Sequence, residues 1–68
     1  MKNIERYVGR IVRLNQEVFR EIAKRAKDQG EALENCFVVA SVSRKMHQLI
    51  CYGASLRISV NIADVALI

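Results

Sequence analysis

From Leu56 onward the chain alternates, with Leu56, Ile58 and Val60 on one side and Arg57, Ser59 and Asn61 on the other. This is the period-two signature of a strand with one wet face. Asn61-Ile62-Ala63-Asp64 breaks the alternation; it is too short for an α-helix and suits a single 3-10 turn before a last strand, Val65-Ala66-Leu67-Ile68. Earlier, Val18, Phe19, Ile22, Ala23 and Ala26 recur at three- and four-residue spacing. With Asn15 as N-cap and Gly30 as the residue beyond the end, they predict an amphipathic helix over about 16–29.

The stretch before that helix has two readings. Tyr7-Val8-Gly9-Arg10-Ile11-Val12-Arg13-Leu14 is β-branched and carries a glycine, which favours a strand. Ile4, Val8, Ile11, Asn15, Val18 and Ile22 also keep a spacing that suits one long helix from residue 3 to residue 29. Gly9 weakens a helix by ~1 kcal/mol, and an N-cap at Asn15 has no purpose inside one, so the strand is preferred. Beyond Gly30, Glu31-Ala32-Leu33-Glu34 connects to two strands around a turn at Arg44-Lys45. A two-residue turn would set Val38 opposite Cys51 and Ala40 opposite Leu49 on one face, with Phe37 opposite Tyr52 and Val39 opposite Ile50 on the other. Both faces are then apolar, and the second needs a cover, either the helix or another copy of the chain. Gly53-Ala54-Ser55 is the next turn.

Sixty-eight residues make one domain, 1–68, and a domain of this size buries only roughly 60% of the surface of its unfolded chain. A composition of 51% hydrophobic residues is too apolar for a disordered tail. The longest apolar run, about seven residues from Cys36 to Val42, falls far short of the ~18 needed to cross a bilayer. The N-terminal charges leave no apolar signal segment, so a cytoplasmic, reducing location is expected. Cys36 and Cys51 are accordingly expected to be buried thiols rather than a bridge, and with His47 they lack metal-ligand spacing.

The first strand, the long connection occupied by a helix, the meander from Asn35 to Val60 and the one-turn element before a short last strand together resemble a small Src-homology-3-like (SH3-like) barrel. Tudor, KOW and Sm-like modules share that architecture. The resemblance implies an α+β chain, a small five-stranded antiparallel barrel with the helix inserted after the first strand. It carries no functional residue over. The aromatic cluster of a proline- or methyl-lysine-reading member is missing, since the chain has only Tyr7, Phe19, Phe37 and Tyr52.

Eleven Lys and Arg against seven Asp and Glu leave a net charge of +4. A nucleic-acid interface would draw on Arg10, Arg13, Arg44, Lys45, His47 and Arg57, joined into one basic face. The other reading is a homo-oligomeric interaction module, a dimer or higher, or a module docking another protein, with an interface of Phe37, Val39, Ile50, Tyr52, Val65 and Leu67. This reading is favoured, because marginal size and excess apolar sheet surface both call for a partner. Catalysis is not expected: His47 has no acidic neighbour in sequence to orient it, and Ser41, Ser43, Ser55 and Ser59 lack a nucleophile context. No phosphate-binding glycine loop or other cofactor motif is present.

Overall fold

A computed structural model describes residues 4–68. A 3-10 turn at Ile4–Tyr7 leads to β1 (Ile11–Leu14), α1 (Gln16–Asp28), β2 (Phe37–Ser43), β3 (Gln48–Gly53) and β4 (Leu56–Asn61). A second 3-10 turn, Ile62–Asp64, joins β4 to β5 (Val65–Leu67). One α-helix and five antiparallel strands thus make an α+β chain, with strand order β4-β3-β2-β1-β5 and β4 and β5 at the sheet's edges.

The helix forms where its end signals place it. The Asn15 side-chain oxygen accepts from the Val18 amide at 2.9 Å, which satisfies one of the first-turn donors left without a partner inside the helix. At the other end Gly30 takes φ +80°, and the amides of Gly30 and Glu31 return to the carbonyls of Lys27 and Ala26. These two bonds form a Schellman closure, which needs a residue free to adopt left-handed φ. Val18, Phe19 and Ile22 pack on the inner face of the sheet, where Phe19 meets Phe37 edge-to-face with centroids 6.4 Å apart. The core they cover comprises Ile4, Val12, Leu14, Phe37, Val39, Leu49, Cys51 and Val60.

Three local expectations change. The first strand begins at Ile11 rather than Tyr7, because Ile4–Tyr7 is a 3-10 turn and Gly9 takes φ +80°, a conformation outside both helix and strand. Residue 3 lies outside the described residues, and from Ile4 onward the alternative of one continuous helix to residue 29 is not formed, since β1 interrupts it. The β2–β3 turn holds four residues, Arg44 to His47, with His47 at φ +54°. A bulge between Val39 and Ser41 shifts the ladder, so Val38 faces Tyr52, Val39 faces Cys51 and Val42 faces Leu49. The third change concerns Gly53, a buried residue of β3 lying against the Phe37 ring; the turn itself is only Ala54-Ser55, with Ala54 at φ +52°.

Candidate interaction surface

The one-residue difference in β2–β3 register decides which side chains face out. Phe37 and Val39, expected at an interface, are fully buried in the chain's own core and offer no surface. Val65 is half-buried against that core, whereas Leu67 is exposed on the edge strand. Ile50 and Tyr52 do lie on the outer face, half-buried and exposed respectively. Tyr52 has neighbours that the sequence pattern did not single out. It faces Val38 on β2, Val38 faces Ile11 on β1, and the Ile68 amide donates to the Ile11 carbonyl at 3.1 Å.

Ile68, just beyond β5, therefore forms one row with Ile11 of β1, Val38 of β2 and Tyr52 of β3, exposed by 67, 44, 47 and 46% respectively. At the spacing of strands in a sheet the row is about 14 Å long. Isolated exposed aliphatics are ordinary, but a contiguous row opposite a filled core is not. Beyond half-buried Ile50, which flanks Tyr52, its borders carry polar residues. Arg57 faces Tyr52 from β4 and ends the row, Arg13 lies two residues from Ile11 along β1, and Ser59 donates to Gln48 at 3.0 Å on the hairpin side. An apolar centre within a polar rim is the anatomy of a protein interface.

The six basic candidates do not gather on one face. Arg13 and Arg57 are on the outer sheet face, on β1 and β4. Arg44, Lys45 and His47 occupy the β2–β3 turn, where Arg44 pairs with Glu5 of the first 3-10 turn. Arg10 precedes β1, its carbonyl accepting from the Val39 amide at 3.0 Å. Arg57 stands four residues along β4 from Asn61, whose partner Gln48 follows the turn, so roughly 13 Å of strand separates it from the basic tip.

The chain matches no protein-family model, no curated protein and no solved structure.

The thiols occupy different environments. Cys51 is fully buried on the inner face, and burial pushes its thiol up from 9.0 to about 11. Cys36, expected to be buried, instead lies between the bend at Asn35 and the start of β2 and is exposed. Asp64 is held rather than offered: its carboxylate accepts from the Asn15 side-chain amide and its carbonyl from the Asn15 backbone amide, both at 2.9 Å. Among the described residues no three His, Cys, Asp or Glu groups come together as a metal site would require, and no helix is long and apolar enough to cross a membrane.

Proposed function

We propose that the chain is a non-enzymatic protein-interaction module on an SH3-like barrel, and that it docks a protein partner across the outer face of its sheet. The strand order supports the barrel reading, since β1 pairs with both β2 and β5, a bulge bends β2, and a one-turn 3-10 element precedes the last strand. The docking role rests on one observation, the row Ile68, Ile11, Val38 and Tyr52 left exposed while α1 covers the opposite face. A second copy of the chain or a different protein could serve as the partner, and either would bury the row.

The test is photo-crosslinking with a photoreactive phenylalanine analogue in place of Tyr52, against a control carrying it at Lys45. Protein adducts at position 52 that disappear on adding Val38→Lys, with the control unaffected, support the reading. Adducts from position 45 alone, or nucleic acid recovered at both positions, would overturn it.

A further inference from the structure

Resting on that reading, we infer that the outer face takes an amphipathic helix from another protein, with acidic residues flanking its apolar side. The charge content of the sheet carries the inference. The five strands contain two charged residues, Arg13 and Arg57, and no carboxylate. Both arginines are exposed on the outer face beside the apolar row, and neither has an ion-pair partner among the described residues. The carboxylates all lie elsewhere, on the two 3-10 turns, on α1 and in the connector after it. A partner that covers the row must either bring its own negative charge to these guanidinium groups or leave them facing apolar surface, which costs desolvation.

Geometry selects a helix. The apolar residues repeat at about 4.8 Å across the strands, close to the ~5.4 Å turn of an α-helix lying along the row. An extended segment laid the same way repeats its same-side residues at roughly 6.6 Å and drifts out of step within a few strands. Ten to twelve helical residues would span the four apolar positions, at about 1.5 Å each. An acidic residue at the helix end above β4 would meet Arg57, and one along the flank above β1 would meet Arg13.

A second copy fits less well. Stacking two rows face to face would put two Arg13 and two Arg57 side chains into one interface with no carboxylate from any strand. The chain's own helix cannot stand in, because Val18, Phe19 and Ile22 are already turned to the core and its other positions mix Glu17, Glu21 and Asp28 with Arg20, Lys24 and Arg25. A polynucleotide would find the arginines but, besides Tyr52, no aromatic platform along the row.

The experiment uses two synthetic helical peptides of about fourteen residues with the same leucine row, one flanked by glutamates and one by lysines, and a single-stranded oligonucleotide, all followed by fluorescence anisotropy. The glutamate peptide is expected to bind at least about tenfold tighter than the lysine peptide, and the Arg13→Glu, Arg57→Glu double variant should reverse that preference. Val38→Lys should abolish binding of both peptides, with Ile11→Lys as a second variant should the first fail to melt cooperatively. Equal binding, a lysine preference, or tighter oligonucleotide binding would overturn the inference. A dimer seen by light scattering and split by Val38→Lys would overturn the partner assignment while leaving the docking face intact. Absence of peptide binding, together with no dimer, would overturn both.

Discussion

The side-chain amide of Asn35 completes a rung of the sheet against the backbone of Leu14. The Leu14 amide donates to Asn35 Oδ1 at 2.7 Å, and Asn35 Nδ2 donates to the Leu14 carbonyl at 2.8 Å. The β1–β2 register, Ile11 with Val38 and Val12 with Phe37, would bring residue 35 opposite Leu14 if it ran on. The chain has left the ladder by then, and a side chain replaces the missing backbone pair. Asn35→Ala removes both bonds and leaves two part-buried backbone groups unpaired, so it should destabilise the fold by about 2 kcal/mol in chemical denaturation. A change below about 0.5 kcal/mol would show that water replaces the amide.

Gly53 and Phe37 share a space that holds no further atom. A Cβ built at Gly53 would lie inside the van der Waals envelope of the Phe37 ring, which is itself fully buried against Phe19. Gly53→Ala should therefore destabilise by roughly 1–3 kcal/mol, the usual cost of overpacking. Adding Phe37→Leu should recover part of that loss, and a double-mutant cycle with no coupling would contradict the contact.

Ala54 carries backbone strain in the two-residue β3–β4 turn. Its φ of +52° lies in the left-handed region, where an L side chain costs roughly 1–2 kcal/mol. Ala54→Gly relieves this but adds unfolded-state entropy of about 0.4–1 kcal/mol, so a net gain on the order of 0.5 kcal/mol is expected. A thermal midpoint raised by about 2–4 °C would agree, and an unchanged or lowered one would not.

The two thiols should separate in both reactivity and pH response. In the native state one equivalent of Ellman's reagent should react quickly, at Cys36, with Cys51 reacting only as the chain opens. Because the folded Cys51 thiol titrates near 11 and the unfolded one near 9.0, the folded state holds the proton more tightly. Its contribution to stability is complete below pH 9 and lost as pH rises from 9 to 11, amounting to about 2–3 kcal/mol at most. The difference in stability between the wild type and Cys51→Ala should shrink over that interval, and a constant difference would contradict the assignment.

The helix limits, the one-turn element after Asn61 and the alternation of β4 were legible along the chain because each is fixed by neighbours a few residues away. Asn15 and Gly30 act as end signals on bonds within their own helix, and Asn61 caps its turn by accepting from the Ala63 amide at 2.9 Å. The outward face of β2 was not legible. Phe37, Val38 and Val39 are all apolar, so the pattern permits either face to be the core. The choice falls to the four-residue turn, the bulge at Ala40 and the Phe19 ring, which together hold Phe37 and Val39 inside and leave Val38 beside Tyr52. Gly53 and Asn35 follow the same logic, since each derives its role from a partner distant in sequence, the Phe37 ring and the Leu14 backbone. Local bonds and periodicity specify elements, whereas register and face depend on long-range packing that a one-residue slip would invert.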